Sequence, residues 1–173
     1  MMQVSLDTPK DHSLTLCKIV SLHHSKDEKT EDRLQTSINE IRRPLTFNDI
    51  LKDSEKQWEK IWDRINIKID GDRLAQKLTR LHLYHLMVTC SPHNANIDFG
   101  IPARGLHGEA YRGHIFWDEL FIMPLYNLQY KETAKSVLMY RYRRLDEARK
   151  YAGEHGYQGA MFPWQSGSSG REE

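Results

Sequence analysis

Apolar residues recur at helical spacing in five stretches of this sequence and alternate with period two in only one. That pattern predicts a mainly α chain. In the alternating stretch, residues 13–22, Leu14, Leu16, Val20 and Leu22 share one face, interrupted by Lys18, while Ser13, Thr15, Cys17 and Ser21 fill most of the other. It reads as a half-buried strand, but one strand is not stable alone, and no partner strand is evident in the chain.

The helical stretches follow in order. Residues 26–43 are charged, with Leu34, Ile38 and Ile41 at helical spacing, and predict an amphipathic helix ending before Pro44. Thr46 and Asp49 resemble a capping box with Asp in place of the usual Glu. They open a helix whose apolar stripe is Phe47, Ile50, Leu51, Trp58, Ile61, Trp62 and Ile65. Trp58 and Trp62, one turn apart, read as packing residues. Asp70-Gly71-Asp72 makes a turn and a cap for a third helix over 73–90, with Leu74, Leu78, Leu81, His85 and Val88 on one face and further apolar residues on a second, so that both sides are expected to be buried. A fourth, over 115–129, carries Pro124 and is expected to kink or break there. The fifth, over 132–152, turns Ala134, Val137, Leu138, Leu145 and Ala148 inward and is expected to stop at Gly153 and Gly156.

Composition narrows the function classes. The 173 residues are 28% charged, and 25 Lys and Arg nearly cancel 24 Asp and Glu, so no strong field favours nucleic acid or an acidic membrane. Mean hydropathy is −0.70. No apolar run approaches the ~20 residues of a membrane span, and the N-terminus lacks a signal-peptide core. Cys17 and Cys90 give neither a disulfide framework nor a zinc spacing. A cytoplasmic globular protein is expected, with no nucleic-acid or membrane partner.

Chemistry concentrates in the second half, where residues 91–173 hold nine of the ten glycines and thirteen of the seventeen aromatics. A long Gly-, Pro-, Asn- and His-rich loop over 91–113 has the make-up of a functional loop. It leads into Arg112-Gly113-His114-Ile115-Phe116-Trp117-Asp118-Glu119. An indole beside a carboxylate suits a sugar: the CH face of a pyranose packs on the ring, and the carboxylate accepts hydrogen bonds from adjacent hydroxyls. Equally, Trp117 could pack in the core while Asp118 caps a helix or pairs with Arg112. Phe162-Pro163-Trp164-Gln165-Ser166 repeats the grammar, followed by Ser166-Gly167-Ser168-Ser169-Gly170, which by composition alone reads as a linker.

Other groups carry weaker signals. Glu109, Asp118 and Glu119 are the carboxylates available for acid/base work, with Glu119 expected to face away from Asp118. His82 and His85 lack a third ligand at motif spacing, so no metal is expected. Gly105, Gly108 and Gly113 follow no strand and make no dinucleotide fingerprint. Arg141, Arg143, Arg144, Arg149 and Lys150 are interleaved with Asp146 and Glu147, which suggests a solvated face or helix–helix ion pairs. Cys90 reads as a buried small hydrophobe.

The segment IPARGLHGEAYRGHIFWDELFIMP, residues 101–124, resembles the signature of glycoside hydrolase family 65, the family of maltose, trehalose and kojibiose phosphorylases. The similarity continues through residues 140–173 and includes Trp58 to Trp62 and Ile69 to Asp72, so roughly residues 45–173 are covered. The resemblance implies a β-sandwich, a helical linker and a catalytic (α/α)6 barrel. On that template residues 1–25 end the sandwich, 26–71 form the linker and 72–173 open the barrel, the chain being a fragment whose remaining barrel lies downstream.

The same resemblance implies inverting cleavage of the α-glucosidic bond of a disaccharide. A glutamic acid protonates the leaving oxygen, and either phosphate, giving β-glucose 1-phosphate, or water attacks through an oxocarbenium-like transition state. Inorganic phosphate is then a co-substrate, no cofactor is implied, and the parent would be a homodimer, as family members often are. Trp117 and Asp118 would stack on and hydrogen-bond the glucose, Trp164 and Gln165 would do likewise, and Arg112 would support Asp118 or reach the site. Many of the phosphorylases have Glu where this chain has Gln165. The general acid is expected downstream of Glu173, so no catalytic residue is assigned here and the chain by itself is expected to be inactive. A non-catalytic sugar-binding or decayed helical protein, or a helical interaction scaffold, are the alternatives from other classes.

Overall fold

A computed structural model of the chain describes residues 5, 7, 10–27, 31–105 and 110–172. Six α-helices dominate: α1 (Arg33–Ile41), α2 (Phe47–Ile65), α3 (Arg73–Thr89), α4 (Glu119–Gln129), α5 (Lys131–Arg143) and α6 (Leu145–Glu154). Among the described residues there is no strand beyond isolated bridges, so the fold is mainly α, as the periodicity predicts. The chain divides into two compact units, Met1–Trp58 and Glu59–Glu173.

In the first unit the expected strand is absent. Residues 13–22 run without regular structure, and Leu16 and Leu22 are 75% and 88% exposed. A strand is held by ladder bonds to a neighbour, and none of the described residues provides one. Asp32 caps α1 by accepting from the Gln35 amide at 2.9 Å. The capping box at α2 forms as read: the Asp49 carboxylate accepts from the Thr46 amide at 2.9 Å, and the Thr46 hydroxyl oxygen accepts from the Asp49 amide at 3.3 Å. Hydrogen bonds from Thr46 hold the Asp49 carboxyl below its usual range. The first helix is shorter than the expected 26–43, of which 28–30 lie outside the described residues.

In the second unit, Asp72 caps α3 through the Ala75 amide at 2.9 Å, after Gly71 turns the chain at φ +90. The face of α3 that carries Leu74, Leu78 and Leu81 is exposed, and Leu83 and Met87 are buried instead. The covered side is set by α4: the Tyr126 hydroxyl lies 2.8 and 2.9 Å from the Leu86 and Cys90 carbonyls and is fully buried there. Cys90 is buried, and burial pushes its thiol up to about 12, so it is an inert packing residue at neutral pH. The core continues through Met123, Tyr130, Ala134, Val137, Tyr140, Ala148 and Ala152, where α5 packs on α4 and α6.

Three boundaries differ from expectation. The helix expected from residue 115 starts at Glu119, because Ile115 is instead paired in bridges to Pro102 and Ser166. Pro124 sits inside α4 without ending it. The helix expected over 132–152 is two, divided at Arg144, whose side chain is drawn onto Asp98 and the Ser168 carbonyl. Leu138 is exposed where it was expected inward. Gly153 lies within α6, and the turn follows at Gly156 with φ +78. Among the described residues no helix is long and apolar enough to cross a membrane.

Candidate functional site

The site is made by one long-range pairing. Ile115 donates to the Ser166 carbonyl at 2.8 Å and accepts from the Ser166 amide at 3.0 Å, an antiparallel bridge between the loop before α4 and the loop after α6. In antiparallel register, residues two beyond and two before such a pair face each other. Those residues are Trp117 and Trp164. Their ring centroids stand 6.0 Å apart with planes inclined at 46°, and the rings are 46% and 65% exposed. Phe116 is buried behind them and meets Trp164 edge-on at 6.4 Å; Phe121 and Tyr111 continue the cluster against Trp117 and Phe116. The two indoles, with Phe121 and Tyr111 also exposed around the buried Phe116 ring, form an open apolar platform with polar indole edges.

Polar residues flank the rings in sequence. Asp118 precedes α4, yet its side chain makes no cap hydrogen bond. It lines a cleft of about 170 Å³ with His85, Thr89, Arg104 and Ile122. The helix N-terminus beside it favours an anion. Gln165 is half-buried in the bridged loop. Arg112 is exposed, and among the described residues no hydrogen bond or ion pair joins it to Asp118. Tyr111, Arg112 and Gly113 all take left-handed backbone, at φ 63, 45 and 78. A run of three such residues is costly for the two that carry a Cβ and marks a shaped turn. Glu119 faces away from Asp118: it is 7% exposed and paired with Arg141 at 2.7 Å. Glu109 and Gly108 lie outside the described residues. No group of three or more His, Cys, Asp or Glu that could hold a metal occurs among the described residues.

The Trp164 loop is pinned and is not a linker. Ser166 is fully buried, with its hydroxyl 3.1 Å from that of Tyr140, which also donates to the Gly167 carbonyl. Arg144 donates to the Ser168 carbonyl at 2.6 Å, grips Asp98 through two nitrogens at 2.9 and 3.0 Å, and lies 3.8 Å from the Tyr140 ring centroid. Gly170 takes φ +81, and a Cβ there would come 2.5 Å from the Arg144 side chain. The Glu172 carboxylate accepts from the Trp164 amide at 2.8 Å. Sequence reading singled out the rings but not these anchors; of the basic run, Arg141 makes the helix–helix ion pair it suggested. The available signal was Arg141 and Arg144 one turn apart, following the buried Tyr140.

Hydrogen bonds from Arg144 hold the Asp98 carboxyl below its ordinary value, against the opposing effect of burial. A carboxylate lowered on folding stabilises above its unfolded value and loses that contribution as pH falls through the folded one. Thermal unfolding should therefore show a drop in stability below about pH 4 that shrinks in Asp98→Asn. An unchanged acid limb in that variant would contradict the role given to this pair.

Residues 80–173 match the family model described as the glycosyl hydrolase family 65 central catalytic domain. The chain belongs to glycosyl hydrolase family 65. An uncharacterized glycosyl hydrolase of Mycobacterium tuberculosis is 43% identical over 160 residues, covering 92% of this chain and 12% of that protein. A kojibiose phosphorylase of Halothermothrix orenii is 37% identical over 150 residues, covering 85% of this chain and 19% of that protein. Among solved structures, a putative kojibiose phosphorylase from the human microbiome superposes with a TM-score of 0.71 at 32% identity, over 81% of this chain and 19% of that one. The chain thus spans between an eighth and a fifth of the length of these relatives. The family is one of enzymes, phosphorylases and hydrolases of α-glucosidic disaccharides, and the family match takes in both Trp117 and Trp164.

Proposed function

We propose that this chain supplies part of the glucose-binding wall of an enzyme that cleaves the α-glucosidic bond of a disaccharide. The observation that carries the reading is the exposed Trp117–Trp164 pair, with Asp118 following Trp117 in sequence. One pyranose face stacks on the indoles; Asp118 accepts from two neighbouring hydroxyls, and the Gln165 amide binds another without adding charge. Arg112 reaches the sugar from the turn before the wall.

In the reaction, inverting displacement builds positive charge on the anomeric carbon and the ring oxygen. An anionic Asp118 at the sugar hydroxyls and the electron-rich indole faces favour that charge. By the family resemblance, proton transfer to the leaving oxygen falls to a glutamic acid outside this wall; Glu119 is instead paired with Arg141. The attacking group is phosphate, giving β-glucose 1-phosphate, or water; a kojibiose phosphorylase relative supports the first and a kojibiose hydrolase relative the second.

Tryptophan emission of the chain should change saturably with glucose and with kojibiose. Trp164→Phe should weaken the response about tenfold, the scale of one lost contact. No emission change in a chain whose circular dichroism shows it helical would overturn the reading.

A further inference from the structure

We propose that Arg141 is a positioning residue that sets the separation and tilt of the Trp117 and Trp164 rings. The proposal rests on the reading of those rings as a sugar wall. Arg141 stands on α5, apart from both loops, and touches each of them. Its Nε donates to Glu119 Oε1 at 2.7 Å and its Nη2 donates to the Phe116 carbonyl at 3.1 Å, on the residue before Trp117. Its guanidinium lies 5.4 Å from the ring centroid of Phe162, two residues before Trp164. The Arg141 side chain is 19% exposed and that of Glu119 10%.

The chemistry requires arginine. The guanidinium is flat and carries several donors in a fixed fork, so one group can pair with a carboxylate, hold a carbonyl and present its face to an aromatic ring at once. A lysine ammonium keeps the charge opposite Glu119 but cannot make all three contacts in one geometry. Glu119 Oε2 is buried and has no hydrogen-bond partner among the described residues. The carboxylate is thereby committed to Arg141 through its other oxygen, and the pair fixes the start of α4 under Trp117. Without the Phe116 and Phe162 contacts, the Ile115–Ser166 bridge still joins the loops, but the ring planes beyond it are free to turn.

The test reads ring geometry and sugar binding separately. Coupled indoles give an exciton couplet in circular dichroism, assigned here by its loss in Trp164→Phe. Arg141→Lys should keep the helical signal and reduce the couplet by about half or more, with sugar affinity falling about tenfold, again the scale of one contact. Phe162→Leu leaves the buried ion pair intact and should reduce the couplet in the same direction, which keeps the test open if Arg141→Lys folds poorly. A full couplet in folded Arg141→Lys, or in Phe162→Leu where Arg141→Lys does not fold, would overturn the proposal. The couplet is measured without sugar. A wild-type chain that shows it but binds neither glucose nor kojibiose would therefore sink the sugar-wall reading and leave the positioning claim decided on the spectra.

Discussion

Replacing Tyr140 by alanine is expected to lower the stability of the Glu59–Glu173 unit by about 3–5 kcal/mol, the usual range for emptying a buried aromatic site. The ring is fully buried on α5, under the Arg144 guanidinium. Its hydroxyl serves both Ser166 and the Gly167 carbonyl, so the substitution also strips the Trp164 loop of two of its anchors. Tyr140→Phe keeps the ring and removes only the hydroxyl, for about 1 kcal/mol. Tyr142, two residues on and exposed, is the control: Tyr142→Ala should stay within about 0.5 kcal/mol of wild type. Denaturant unfolding followed at the far-ultraviolet helical band separates the three. Equal effects at positions 140 and 142 would contradict the described packing.

Asp118→Ala should weaken glucose binding about 10- to 100-fold, the range for losing hydrogen bonds to a charged group. Stability should change little, because the side chain makes no cap hydrogen bond and contributes to α4 only through the helix dipole. That separation distinguishes a ligand-facing carboxylate from a capping one. Asp72→Ala is the converse case: its carboxylate accepts from the Ala75 amide, and its loss should lower stability by about 1 kcal/mol without touching the sugar. A large fall in melting temperature in Asp118→Ala with unchanged sugar affinity would return Asp118 to a structural role.

The parts of this structure that were legible in the sequence are those decided locally. Thr46 with Asp49, and Asp72 after Gly71, satisfy helix-end amides within three residues, so their geometry follows from composition and spacing. The helical period marks α2 and α3 for the same reason. What a helix faces is not local. Leu74 and Leu83 both sit at apolar positions of α3, and only the seating of Tyr126 against Leu86 and Cys90 decides that the second is covered.

The candidate site shows the same limit. Trp117 beside Asp118 and Trp164 beside Gln165 are visible as matching dipeptides. Their meeting depends on the Ile115–Ser166 bridge, a pairing between distant loops that neither period announces. The same bridge delays α4 to Glu119. Arg144, read as one residue of a basic run, ends α5 because Asp98 and Ser168 claim its guanidinium. The expected strand at 13–22 fails for the related reason that alternation shows a face but not a partner.

The central claim is that Trp117 and Trp164 together receive the sugar, while the chain's other two tryptophans do not. Indole N–H resonances report each ring separately in a nitrogen-15 spectrum, assigned by single Trp→Phe variants. On addition of kojibiose, the Trp117 and Trp164 signals should move together along one saturable isotherm, with Trp58 and Trp62 unmoved. Shifts confined to Trp58 and Trp62, or no shift at any of the four in the folded chain, would contradict the account.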